Sequence, residues 1–105
     1  MKDVNTYCEF WCVINRLKCL GYDILSRKID STNKCAITCK HLVNSAIVDV
    51  TVDYVDEWYW NSTTDEDEHV QGFSYDMRVN NGFWHSISDK LDLFKRLTAV
   101  SKYNG

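Results

Sequence analysis

One stretch, residues 46–60 (AIVDVTVDYVDEWYW), constrains the fold of this chain most. Val48, Val50 and Val52 fall on one face at a period of two, and polar residues fall between them. β-Branched residues that alternate with polar ones are typical of a strand with one buried and one solvated face. The stretch therefore predicts a strand in a sheet that is covered on one side.

The second half of this stretch departs from the pattern of the first. If the alternation continued, Asp56 would lie on the apolar face beside Trp58 and Trp60. We expect a β-bulge near Val55 to restore the register. We also expect Trp58, Tyr59 and Trp60 to bury most of their area at the end of the core, because large aromatic side chains are usually well buried.

The N-terminal segment predicts an amphipathic helix. It is expected to open at the capping-box pattern of residues 6–9, or a turn earlier at Asp3, and to stop at Gly21. Its apolar stripe is formed by Tyr7, Phe10, Ile14 and Leu17.

Three more strands are expected around the central one. Residues 22–30 form the first, and Cys35, Ile37 and Cys39 share one face of the second. Residues 61–69 are expected to be a polar loop, and residues 70–79 to be the fourth strand.

A second helix is expected to begin at the capping-box-like sequence of residues 86–89. Phe83 and Trp84, just before it, are expected to anchor it on the sheet. Its predicted apolar stripe consists of Ile87, Leu91, Phe94 and Leu97.

The order of these elements and the length of the chain predict the fold class. With 105 residues the chain is expected to form one domain, residues 1–105, around a single core. Short turns between successive strands favour an antiparallel meander. We therefore predict an α+β domain in which a four-stranded antiparallel sheet carries both helices on one face, in the order α-β-β-β-β-α.

The sequence also carries expectations about location. It contains no apolar run long enough to span a membrane, and its first residues lack the pattern of a signal peptide. Its five cysteines are an odd number without the spacing of a disulfide framework, which favours reduced thiols. We therefore expect a cytoplasmic protein with no membrane partner.

The cysteines leave three interpretations open. Cys8, Cys12, Cys35 and Cys39 could bind zinc as four thiolates if the helix and the strand meet, although CxxxC is not the tight CxxC knuckle. Buried reduced thiols are the interpretation that we prefer, because cysteine packs as a small hydrophobe. Cys8, Cys12 and Cys19 form a helical stripe that could also be the seam of a homodimer. We expect no metal and no cofactor.

Charge is strongly segregated along the chain. The formal net charge is −3, yet residues 41–77 contain no Lys or Arg and nine acidic residues, which leaves +6 on the remainder. The acidic residues of this segment are Asp49, Asp53, Asp56, Glu57, Asp65, Glu66, Asp67, Glu68 and Asp76. Segregation of this kind bears on the electric field and the partners of a protein and not on its fold.

We interpret the acidic segment as a surface that binds a basic partner protein. Asp49, Asp53 and Asp76 are expected to share the solvated face of a hairpin, and the other six acids extend that surface. Trp58, Tyr59 and Trp60 add aromatic anchors, which supply much of the energy of protein interfaces. Imitation of nucleic-acid phosphates is one form of this hypothesis, while a merely solvated face is the alternative without function.

Two other function classes remain as alternatives. A nucleic-acid binder could use the basic remainder, with Arg16 and Arg27 among its residues, but we do not expect it because the net charge is acidic. A metal-dependent enzyme could use Asp49 and Asp53 as oxygen ligands. No nucleophile elbow and no glycine-rich phosphate loop is present, so we predict that the protein is not an enzyme and has no catalytic residues.

The C-terminal quarter of the chain, in which residues 81–85 read NGFWH, resembles the tail of small uncharacterised tailed-phage proteins. In those proteins antiparallel strands run into a Gly-Phe-Trp corner and an amphipathic helix, here carrying Leu91, Phe94 and Leu97. The resemblance implies a phage or mobile-element protein that binds and inhibits a host protein, such as a component of a defence system. It implies no role for any single residue.

Overall fold

Two helices and five strands make up the part of the chain that the computed structural model describes, residues 2–30 and 33–102, without the side chains of residues 2–7 and Asp30. Their bounds are α1 Lys2–Cys19, β1 Tyr22–Asp30, β2 Lys34–His41, β3 Ile47–Asn61, β4 Glu66–Val79, β5 His85–Ile87 and α2 Lys90–Ser101. The strands form one antiparallel sheet in the order β1-β2-β3-β4-β5. The predicted α+β meander is thus confirmed, with five strands in place of four. Neither helix is long and apolar enough to cross a membrane, as far as the described residues go.

The core lies between one face of the sheet and both helices. Alternate residues of β2, β3 and β4 are buried on that face, and α1 and α2 contribute their apolar stripes. The hydroxyl of Tyr22 on β1 donates to the carbonyl of Leu97 on α2 at 2.9 Å. The largest fully buried side chains are Phe10, Ile14, Leu17, Ile37, Leu93, Leu97, Val13, Val48, Val50, Val52 and Cys35.

Helix α1 begins further upstream than expected. It begins by Lys2, so residues 6–9 and Asp3 all lie within it and the predicted capping box is wrong. Glu9 instead accepts hydrogen bonds from the hydroxyl of Tyr75 on β4 and, at 3.3 Å, from Lys90 on α2. The predicted stop at Gly21 agrees with its left-handed backbone, φ 89°, a conformation that glycine adopts without strain.

The chain before α2 also differs from the expectation. Residues 85–87 form the short strand β5, and α2 is capped three residues after the predicted start, by Asp89, whose carboxylate accepts from the amide of Asp92 at 2.8 Å. The buried stripe of α2 also differs from the predicted one, because Leu93 and Leu97 are buried while Leu91 is 72% exposed. Ile87 is buried from β5 instead.

Strands β3 and β4 continue far beyond their neighbours. The last pair between β2 and β3 is Lys34 with Asp53, and β5 pairs only with residues 75–77. Among the described residues, 55–61 and 66–73 therefore pair only with each other, while the amide of Tyr54 also donates to the carbonyl of Asn33 at 2.7 Å. We call this two-stranded projection, residues 54–73, the arm. Its register is continuous, with Val55 opposite Gly72, so the bulge predicted near Val55 is wrong. The register shift in the sheet lies in β1, between Ile24 and Ser26.

Candidate functional site

The arm presents aromatic side chains to solvent. Trp58 is 68%, Trp60 58% and Tyr59 48% exposed, so the expectation that they would be buried at the end of the core is wrong. The physical reason is that the two ribbon strands project past the covered part of the sheet, where a two-stranded ribbon has little apolar surface of its own to bury. Aromatic side chains that stay exposed in this way are typical anchors of interfaces.

The two faces of the arm follow directly from the strand period. We call the face of the sheet that packs against the helices the helix side, and the opposite face the open face. Asp56, Trp58 and Trp60 continue the helix side of β3, and Glu57 and Tyr59 continue its open face. On the helix side the ring of Trp58 stacks on its cross-strand partner His69, with centroids 4.4 Å apart and planes 3° from parallel. Nε2 of His69 also shares a hydrogen bond with a carboxylate oxygen of Asp56.

On the open face a polar network organises the end of the arm. The hydroxyl of Tyr59 donates to Glu68 at 2.7 Å, and the amide of Asn61 donates to the same carboxylate. Both hydrogen bonds, that from Tyr59 first, lower the pKa of Glu68, so this carboxylate stays ionised. The side-chain oxygen of Asn61 accepts from the amide of Thr63 at 2.9 Å, and Asp65 adopts a left-handed backbone, φ 59°.

Acidic residues line the arm on both faces. The expected polar loop of residues 61–69 is wrong in extent, because only residues 62–65 connect the strands and Glu66 already begins β4. The arm contains no Lys or Arg. Six acids lie on it: Asp56, Glu57, Asp65, Glu66, Asp67 and Glu68. Five of the six are exposed, and Glu68 is half-buried. The arm is therefore a projection that combines negative charge with exposed aromatic rings.

The remaining three predicted acids lie on the open face of the sheet, away from the arm tip. Asp49 and Asp53 of β3 lie opposite Arg78 and Ser74 of β4, and Asp76 of β4 lies opposite Thr51 of β3. Because cross-strand partners point to the same side of a sheet, the three acids do share that face. Asp49 is only 9% exposed. Its two oxygens accept from Thr38 at 2.7 Å and from the guanidinium of Arg78 at 2.8 Å.

Arg78 and Trp84 also contribute to this face, and neither was among the predicted site residues. The guanidinium of Arg78 lies over the ring of Trp84, 4.8 Å from its centroid, while it also pairs with Asp49. Trp84 thus contacts the sheet, as expected, but on its open face. Phe83 is 88% exposed, so the expectation that it also anchors on the sheet is wrong. The pairing of residue 49 with residue 78 depends on the β3–β4 register, and no local pattern reveals it.

The cysteines divide into two groups. Cys35 and Cys39 are buried in the core on β2, and burial raises the pKa of Cys35 to about 11 and that of Cys39 to about 12. Cys8 and Cys19 are exposed on α1, and Cys12 is half-buried. Among the side chains that the structure describes, residues 8–29 and 33–102, no three of His, Cys, Asp or Glu converge as a metal ion would need.

The basic residues near the sheet lie on both of its sides. Arg16 and Arg27 lie on the helix side, where they contact the rings of Phe94 and Trp11, at 4.8 and 4.7 Å. Lys34, Lys40 and their neighbours at even positions of β2 lie on the other side of the sheet. The basic side that the sequence suggested is therefore split by the sheet.

Comparisons with known proteins give this site no relatives. No protein-family model, no curated protein and no solved structure matches the chain. Only the geometry and the charge of the chain's own residues therefore bear on its function.

Proposed function

We propose that the protein is an interaction module that binds the basic surface of a partner protein through the arm. The observation that carries the proposal is the coincidence of six carboxylates and three exposed aromatic rings on one projection without a Lys or Arg. Carboxylates alone are an ordinary solvated surface. Trp58 and Trp60, however, expose large apolar rings to solvent beside these carboxylates.

The two kinds of residue have complementary roles in binding. The carboxylates attract a basic partner over about a Debye length, ~8 Å at physiological salt, and raise the association rate. Trp58, Tyr59 and Trp60 supply the contact energy, because buried tryptophan and tyrosine side chains dominate many interfaces. Binding of this kind weakens as salt rises, and it weakens at any salt when the rings are removed.

The charge density of the arm favours a particular form of nucleic-acid imitation. Eight residues per strand at ~3.3 Å each give a length of roughly 26 Å, so six carboxylates correspond to one charge per ~4 Å. A single DNA strand carries about one charge per 3.4 Å and a duplex about one per 1.7 Å. The arm therefore resembles a single strand more than a duplex in charge density. In this form of the proposal its exposed rings stack on aromatic side chains of the partner, as the bases of a single strand do.

An inhibitor of a host protein would follow from such binding. A basic groove occupied by the arm is closed to its own nucleic acid, which is how a small phage or mobile-element protein could block a defence protein. In this proposal the protein acts in the host cytoplasm, where its five thiols stay reduced.

The proposal is tested by capture from host lysate at low and high salt. The tagged protein is compared with a ring variant, Trp58→Ala with Trp60→Ala, and a charge variant, Glu66→Gln with Asp67→Asn. Asp23→Asn on β1 is the matched control, since this acid is exposed and lies outside the arm.

Capture of the same protein by the parent and the control, lost in both arm variants and at high salt, supports the proposal. Equal capture by all four proteins contradicts it. Nucleic acid in the eluate without an enriched protein supports the competing function, a nucleic-acid binder that uses the basic residues.

A further inference from the structure

The backbone of β4 has an open edge along the arm. The amide of Asn80 donates to the carbonyl of Ile47 at 2.7 Å, just beyond the Val48–Val79 pair, so residues 47 and 80 occupy a hydrogen-bonded position of the ladder. Hydrogen-bonded pairs recur at every second position of an antiparallel ladder. Even-numbered residues of β4 therefore direct their N–H and C=O groups toward β3, and odd-numbered residues direct theirs outward.

Strand β5 pairs with these outward N–H and C=O groups only at the end of β4 that lies outside the arm. Tyr75 and Met77 pair with Ile87 and His85 of β5. Further along the arm, among the residues that the structure describes, no strand pairs with the outer side of Asp67, His69 and Gln71. Three outward amides and three outward carbonyls thus form a ready template for another strand.

Charge restricts what can use this template. A second copy would bring an arm with six carboxylates and no Lys or Arg against an identical one, and like charges on adjacent strands oppose pairing. Acidic side chains on an open edge also protect it from self-association. The suitable occupant is therefore an extended segment with basic side chains.

We propose that an extended, basic segment of the partner adds to the outer edge of β4 as a sixth strand, beside residues 66–72. This inference rests on the proposed function and specifies how the arm binds. Side chains of the added strand alternate between the two faces of the ribbon. Those on the open face lie beside Glu66 and Glu68, and those on the helix side lie beside Asp67 and His69. Lys or Arg at alternate positions, all on the open face, therefore matches the two carboxylates there.

A pair of variants separates strand addition from simple charge attraction. Gln71→Pro removes an outward amide that the β3–β4 ladder does not use, and proline is tolerated at such edge positions. Gln71→Ala is the matched control, because both variants lose the hydrogen bond that Gln71 donates to the hydroxyl of Tyr54 at 3.3 Å. The probe is a synthetic peptide of alternating arginine and threonine, and its Kd is measured by calorimetry at low salt.

We expect Gln71→Pro to weaken peptide binding about tenfold or more relative to Gln71→Ala. In the parent protein, the peptide should slow amide hydrogen exchange at Asp67, His69 and Gln71. The inward amides of Glu68 and Val70, already in the ladder, serve as internal controls and should change much less. This second measurement needs no variant, so it decides the question even if proline disturbs the arm.

Equal Kd values for the two variants together with unchanged exchange of the outward amides would overturn strand addition. In that outcome the peptide binds through charge and rings alone, and the proposed function stands. Absence of peptide binding by the parent also overturns strand addition, while the lysate experiment with the ring and charge variants still decides the proposed function independently.

Discussion

Trp58 and His69 face each other across the arm with their rings parallel and their centroids 4.4 Å apart. The pair belongs to a register that continues without a shift from Val48 opposite Val79 to Asn61 opposite Glu66. Stacking on a cross-strand neighbour orders the indole while leaving most of it exposed. An ordered, exposed ring loses less conformational entropy on binding than a mobile one, which suits a contact residue.

Replacement of Trp58 should affect binding much more than stability. Because the ring is mostly exposed, we expect Trp58→Ala to lower the free energy of unfolding by less than about 1 kcal/mol. Leu93→Ala, in a fully buried position of α2, should cost ~2–5 kcal/mol. Urea denaturation followed by circular dichroism measures both. A loss with Trp58→Ala as large as that with Leu93→Ala would show that the ring is structural.

Asp49 should behave as a structural residue in spite of its place in the acidic segment. Asp49→Ala leaves Thr38 and Arg78 without the oxygens that they now contact at 2.7 and 2.8 Å. We expect a loss of roughly 1–3 kcal/mol in the free energy of unfolding. Asp67→Ala, at an exposed position of the arm, should change it by no more than ~0.5 kcal/mol. Similar losses in the two variants would be inconsistent with this assignment.

Local pattern predicted the body of the sheet because there burial and alternation coincide. Val48, Val50 and Val52 alternate in the sequence and are buried in the structure. Along the arm the same period continues, but beyond Phe73, which still packs against the core, neither described helix covers it, so Asp56 and Trp58 share a face that the pattern alone could not explain. Residues 66–68 are acidic and have low β-propensity, and for this reason they were expected in a loop.

Two other features needed information that a local pattern does not contain. Strand β5 has three residues, too few to show a period, and its sequence Ser86 to Asp89 resembles a helix start. The Asp49–Arg78 pair lies 29 positions apart along the chain and exists only in one strand register. The acids of the candidate site were visible from composition, whereas their division between a buried network and a projecting arm required the fold.

The buried thiols should make the protein less stable in alkali. The pKa values of Cys35 and Cys39 are raised by burial to about 11 and about 12, so the folded thiols stay protonated where those of the unfolded chain ionise. The unfolded state then binds fewer protons, and stability falls as pH rises above the ordinary thiol pKa, ~8.5. Below that pH the two thiols make no pH-dependent contribution.

Urea denaturation between pH 8 and pH 10.5 checks this dependence. We expect the free energy of unfolding of the parent to fall with pH more steeply than that of a Cys35→Ala, Cys39→Ala variant. At pH 8 the same two thiols should resist iodoacetamide in the folded protein while Cys8 and Cys19 react. Alkylation of all five cysteines without denaturant would contradict their placement.

The arm should open without unfolding of the body. A two-stranded ribbon without a covering layer is marginally stable, so its amides should exchange with solvent faster than those of Val50 or Ile37 in the core. Asn61 stabilises the arm tip through the amide of Thr63 and the carboxylate of Glu68. We expect Asn61→Ala to speed exchange across the arm by several-fold and to leave exchange in the body unchanged, as measured by amide exchange and NMR. Equal acceleration in the body would mean that the arm and the core unfold as one cooperative unit, and the arm would then not be a separately ordered element that binding could stabilise.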